Sequence, residues 1–190
     1  MVDDLCRALT YIHNHITEYC PNADRDQIFL SGHSAGAHLI SLLVLDKSQL
    51  HRHEYPYANI RGAIPMSGIY SLTNPTHNSV NNIQNWIFYS LYASNLIYPQ
   101  GKNLIQYSPF EFIEMDSILP PILVMSAKYD MGLEVDAKRF VDKLKTCNHE
   151  VEYVVVKGTH GSIASDFATN QARQYFFDFI RQHMSYLIFH

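Results

Sequence analysis

Apolar side chains at Leu5, Leu9, Ile12, Ile16 and Tyr19 recur at close to the helical period, which predicts an amphipathic helix from about Asp3 to Tyr19 that ends before Pro21. The turn cluster Asn22-Ala23-Asp24-Arg25-Asp26 follows, and the short apolar run Ile28-Phe29-Leu30 predicts a strand reaching Ser31. A second helix is expected beyond Ser34, with apolar residues running to Leu45. After a polar loop around His51 to Tyr57, Ile60 to Met66 reads as another strand, although Pro65 weakens an interior position because it lacks an amide donor. Downstream, Ile122 to Ala127 and Val151 to Val156 read as buried strands. Between them Ala137, Phe140, Val141 and Leu144 mark one face of a helix that starts near Gly132 and ends near Lys145. Ala168 to His183 is expected to form the last helix.

This alternation of strands and helices implies an α/β fold, with a parallel sheet covered by helices on both faces. One stretch breaks it. From about Tyr70 to Ile118 the chain is rich in Asn, Ser and aromatics, including Trp86, Phe88, Tyr89, Tyr92 and Tyr98, and reads as a cap inserted into a single domain of residues 1–190. Within it, the helix-like stretch Ile83 to Ile97 either shades a ligand site or packs on the sheet. The sequence contains no internal repeat and no Gly-rich phosphate loop.

Chemistry enters at Gly32-His33-Ser34-Ala35-Gly36, a GxSxG motif between a predicted strand and a predicted helix. On a sharp strand-to-helix turn the serine hydroxyl projects outward as a nucleophile, with small residues on either side letting two backbones pass closely. The competing reading makes Ser34 a helix N-cap. A nucleophilic serine needs a base, and the base needs an orienting acid. Asp130 stands at the carboxyl end of one predicted strand, and His160 lies in the loop Lys157-Gly158-Thr159-His160-Gly161-Ser162 behind the next. Loops leaving the carboxyl ends of parallel strands converge on one edge, so Ser34, Asp130 and His160 are expected to meet. Asp130 could instead cap the following helix, with Glu134 as the reserve carboxylate, and His160 is one of eleven histidines. The chain order Ser, Asp, His matches that of this turn type.

With 190 residues, 47% hydrophobic and 17% charged, the chain suits one adequate core. A net charge of −4 without a Lys/Arg cluster argues against nucleic acid as partner. Cys6, Cys20 and Cys147 show no metal-like pairing, so neither zinc nor a disulfide framework is expected, and no cofactor is called for. The acidic start Met1-Val2-Asp3-Asp4, the lack of any bilayer-length apolar stretch and the proline-blocked triplet Asn74-Pro75-Thr76 give a cytoplasmic expectation.

The heptapeptide Gly32-His33-Ser34-Ala35-Gly36-Ala37-His38, the strand ending in Asp130 before Gly132-Leu133-Glu134, and His160 together resemble the α/β-hydrolase fold. They are most similar to its small-molecule esterases and kynurenine formamidase-like members, with isoprenylcysteine methylesterases also similar. The resemblance implies a serine hydrolase of carboxylic esters working through an acyl-enzyme, with a small ester or amide as substrate. The backbone amide of Ala35 is then the oxyanion donor. Two alternatives stay open: an N-formylkynurenine-type amidase and a non-catalytic hydrolase-like fragment. Such enzymes carry a His-Gly-Gly loop upstream of the first helix seen here. Its absence from these residues leads to the expectation of an N-terminally truncated fold and a weakly active or inactive isolated chain.

Overall fold

The computed structural model describes residues 1–72 and 104–184. Its framework is a four-stranded, wholly parallel sheet in the order β1-β2-β3-β4, formed by Ile28–His33, Ile60–Met66, Ile122–Tyr129 and Val151–Thr159. Among the described residues the α-helices are α1 (Val2–Tyr19), α2 (Ala35–Leu45), the short α3 (Ser48–Arg52), α4 (Leu133–Thr146), the short α5 (Ser162–Ser165) and α6 (Gln171–His183).

Side-chain alternation divides the core into two layers. Leu30, Ile60, Ala63, Ile122 and Val124 pack with Cys6 and Leu9 of α1, Leu43 of α2 and Phe140 of α4. Ile64, Met66, Leu123, Met125 and Val156 face the other way, onto Ile163 of α5 and Ala172 and Phe179 of α6. Helices therefore cover both faces, as the alternation predicts. Ile60 and Ile64 have the same parity yet point to opposite faces, because the register jumps from Ile28↔Ile60 to Phe29↔Gly62 and leaves Arg61 as an extra residue.

Pro65 sits inside β2 at a tolerable cost. Ala63 donates to the Pro121 carbonyl at 3.0 Å and Ser67 to that of Met125 at 2.8 Å, so the missing imide proton removes one rung between two that remain. Four expectations are adjusted. The loop around His51 contains the end of α3, whose start is held by Asp46: its Oδ1 accepts from the Ser48 amide and hydroxyl. The final helix starts at Gln171 rather than Ala168, because the Asn170 side chain accepts from the Ala172 amide at 2.9 Å and fixes the N-cap there. On α1 the packed stripe is Val2, Leu5, Cys6 and Leu9, while Ile12 and Tyr19 are exposed beyond the core. β1, β3 and β4 run two to three residues further than their apolar runs, to His33, Tyr129 and Thr159.

Most of the segment read as a cap, including Trp86 and the stretch Ile83 to Ile97, lies outside the described residues. Among those described, Ile69, Leu72 and Leu133 form a small apolar cluster joined by Leu104 and Tyr107. No helix among them is long and apolar enough to cross a membrane.

Candidate active site

Three of the four parallel strands leave their carboxyl ends through left-handed backbone: Ser34 after β1 has φ 56°, Ser67 after β2 has φ 50°, and Met131 after β3 has φ 55°. These non-glycine outliers crowd one edge of the sheet, the edge at which functional strain commonly collects. At Ser34 the turn is sharp because α2 starts at the very next residue, Ala35, while the Ser34 amide still donates to the Met66 carbonyl at 2.9 Å.

The Ser34 side chain makes no cap bond to α2. Its Oγ lies 3.0 Å from Nε2 of His160, and Nδ1 of His160 lies 2.7 Å from Oδ1 of Asp130. Asp130 is fully buried and its other oxygen accepts from the Ala127 amide at 3.2 Å. An ionised carboxylate only accepts, so Nδ1 of His160 carries the proton and Nε2 is left as an acceptor for the Ser34 hydroxyl. Residues far apart in sequence thus form one relay, and it has the geometry of a hydroxyl, a base and an orienting acid. The alternative in which the Asp130 side chain caps α4 is not the arrangement seen: only its backbone carbonyl accepts, from Leu133, at 3.0 Å. Glu134 stands in the first turn of α4, and it is Asp130 that reaches His160.

Ala35 is the first residue of α2, so its amide belongs to the opening turn, where N–H groups have no intrahelical acceptor and the helix dipole favours negative charge. A developing oxyanion beside Ser34 would find this donor already oriented.

Further buried polar residues support the relay, and of these His38 closes the elbow heptapeptide while Asp136 belongs to no motif. His38, one turn into α2, is buried; its Nδ1 donates to the Ile69 carbonyl at 2.8 Å, and burial lowers its pKa below the usual 6.5. From α4 the buried carboxylate of Asp136 accepts from the amides of Tyr70 at 2.6 Å and Ser71 at 3.2 Å. Together they pin the chain leaving β2. Tyr70 itself stacks on Phe140 with ring centroids 4.1 Å apart, and its burial raises the hydroxyl pKa well above the ordinary tyrosine value. Asp136 was discoverable in principle, because it interrupts the stripe Leu133, Ala137, Phe140, Val141 and Leu144 on the buried face of α4. Among the described residues no group of His, Cys, Asp and Glu side chains is arranged to hold a metal ion.

Comparison with known proteins gives this geometry a context. A family described as alpha/beta hydrolase fold matches residues 1–164. A probable isoprenylcysteine alpha-carbonyl methylesterase of Arabidopsis thaliana is 25% identical over 167 residues, which are 84% of this chain and 39% of that protein. A probable carboxylic ester hydrolase of Mycobacterium tuberculosis is 30% identical over 150 residues, 75% of this chain and 33% of that protein. This chain therefore spans roughly a third to two fifths of the length of the curated relatives it matches. Among solved structures, a truncated form of a carbohydrate esterase from gut microbiota superposes with a TM-score of 0.70 at 17% identity, covering 96% of this chain and 67% of the other. The apo form of esterase 2 from Thermogutta terrifontis gives a TM-score of 0.64 at 19% identity, with 94% and 61% covered. At such identities the likeness concerns the fold.

Proposed function

Because the chain belongs to the alpha/beta hydrolase fold family, we propose that it supplies the nucleophile, base and acid of a serine hydrolase acting on carboxylic esters. The observation that carries this reading is the hydrogen-bonded relay from Ser34 through His160 to Asp130, with contacts of 3.0 and 2.7 Å. In the proposed reaction Ser34 Oγ attacks the acyl carbon while its proton passes to Nε2 of His160. Asp130 holds the imidazole in the tautomer that can accept this proton and stabilises the imidazolium that results. His160 then protonates the departing alkoxide, leaving an acyl group on Ser34. Water attacks that acyl-enzyme, giving its proton to His160, and the acid is released as Ser34 recovers its hydrogen. The Ala35 amide stabilises the tetrahedral oxyanion in both halves.

An ester is favoured as substrate by the relatives, one described as a probable methylesterase and one as a probable carboxylic ester hydrolase. The test is covalent labelling of the chain with a fluorophosphonate, read by mass spectrometry. Modification is expected on Ser34, and it should vanish in Ser34→Ala and in His160→Ala. Unmodified Ser34 would favour a non-catalytic hydrolase-like module instead. Parallel rates on p-nitrophenyl acetate and N-formylkynurenine separate the ester reading from the formamidase one, the first being the expected substrate.

A further inference from the structure

His160 is tied at every polar atom it possesses. Its ring nitrogens meet Ser34 and Asp130, and its amide donates to the Tyr129 carbonyl at the end of β3, at 3.3 Å. The fourth tie is as short as that to Asp130: the His160 carbonyl oxygen lies 2.7 Å from Nε2 of His33, the last residue of β1 and the variable position before the serine in the GxSxG motif. A carbonyl oxygen only accepts, so Nε2 of His33 must carry a hydrogen and donate it. The two imidazole rings lie beside each other, with centroids 4.8 Å apart and planes tilted by 44°.

We propose that His33 is a positioning residue for the base: by holding the His160 carbonyl it fixes the loop after β4 against the elbow, so that Nε2 of His160 stays aimed at Ser34 Oγ. This rests on the serine-hydrolase reading given above. β1 and β4 occupy opposite ends of the sheet order, so the loop bearing His160 has no ladder contact with the strand bearing the nucleophile. Two side-chain bonds span that gap. The adjacent residues His33 and Ser34 contribute one each, to the backbone and to the ring of the same histidine.

The loop has reason to need such a tie. The end of β4 that feeds it passes through Gly158 at φ 140°, where a side chain would also meet Ser162 Oγ at 2.5 Å. Thr159 and Ser162 brace it internally, the Thr159 amide donating to Ser162 Oγ at 2.8 Å. Asn170 ties the following turn to α6 through the carbonyls of Ser162 and Ile163, while the bonds of His160 itself to His33, Tyr129 and Asp130 bear directly on its orientation toward Ser34. A misplacement of about 1 Å between reacting groups costs about a hundredfold in rate.

The experiment compares His33→Phe, which keeps a ring but no donor, with His33→Gln, whose side-chain amide can replace the Nε2–H. Turnover of p-nitrophenyl acetate is expected to fall at least about tenfold in His33→Phe with KM within about twofold, and to recover to within about threefold of wild type in His33→Gln. In ¹⁵N-histidine NMR, the Nδ1 proton of His160 should exchange with water at least about tenfold faster in His33→Phe and at the wild-type rate in His33→Gln. Equal exchange rates in all three proteins, or a Gln variant as defective as the Phe variant, would overturn the proposal. The NMR readout does not depend on catalysis. A wild-type chain in which Ser34 takes no fluorophosphonate would remove the hydrolase reading, while the exchange comparison would still decide the role of His33.

Discussion

Gly32 and Gly36 frame the elbow on unequal terms. A Cβ built on Gly32 would lie 2.5 Å from both the carbonyl carbon and the carbonyl oxygen of Gly36, whereas one built on Gly36 would meet nothing within 4 Å. The close approach that the motif implies is thus a demand on the first glycine, with the second providing only the backbone that is approached. Gly32→Ala should destabilise the chain by about 3 kcal/mol, since backbone must move to admit the methyl group. Gly36→Ala, in the first turn of α2, should cost nothing and gain up to about 1 kcal/mol from helix propensity. Urea midpoints for the two variants decide this, and equal losses would contradict it.

Two carboxylates compete on paper for His160, and they should separate in solution. Asp130→Asn removes the acceptor that holds Nδ1–H, so Ser34 should react with fluorophosphonate about a thousandfold more slowly or worse, on the scale such substitutions reach in other serine hydrolases. Glu134→Gln should leave the rate within about twofold. Among the described residues Oε2 of Glu134 is buried without a hydrogen-bond partner, so a neutral amide there disturbs no bond to the base. A slow Glu134→Gln variant beside a normal Asp130→Asn one would reverse the assignment.

The strands were legible because buried parallel strands are apolar on both faces, as Ile122 to Ala127 illustrates, and because turn signals bound them. Their carboxyl ends were harder: Gly32-His33 and Lys157-Gly158-Thr159 carry no apolar signal, yet Thr159 still pairs with Tyr129. The helix after the elbow is apolar nearly all round, which marks burial but hides its phase. Ser34, Asp130 and His160 could be singled out since each follows a recognisable strand. His33 stands inside the motif, yet its partner could not be read, because it is a backbone carbonyl 127 residues away and no side-chain pattern records such a bond.

Asp136 interrupts a buried apolar stripe in the sequence, but its partners are visible only in the packing. Its carboxylate receives the amides of Tyr70 and Ser71 in a fully buried setting, so Asp136→Ala would leave two buried donors without that acceptor. A loss of about 3 kcal/mol is expected in urea unfolding. Asp136→Asn, which keeps one accepting oxygen, should lose about half as much. An alanine variant as stable as wild type would mean that the chain leaving β2 is held by other contacts.

His38 should impose a pH dependence on stability, with a sign that follows from its burial. Desolvation is the larger influence on its imidazole and lowers the pKa below 6.5; the bond to the Ile69 carbonyl opposes the shift without cancelling it. In the unfolded chain the ring regains an ordinary value near 6.5. As pH falls through that value the unfolded state takes up a proton that the folded state refuses. Stability from this group is therefore complete above about pH 6.5 and declines below it until the folded ring also titrates, by at most about 1.4 kcal/mol per pH unit. His38→Asn retains a donor placed like Nδ1 but cannot titrate. The unfolding free energy of wild type relative to His38→Asn should accordingly rise between pH 5 and about pH 7 and then level off. Because the other histidines are common to both proteins, the difference isolates His38, and a flat difference across that range would show that its imidazole binds protons equally well in the folded and unfolded chains.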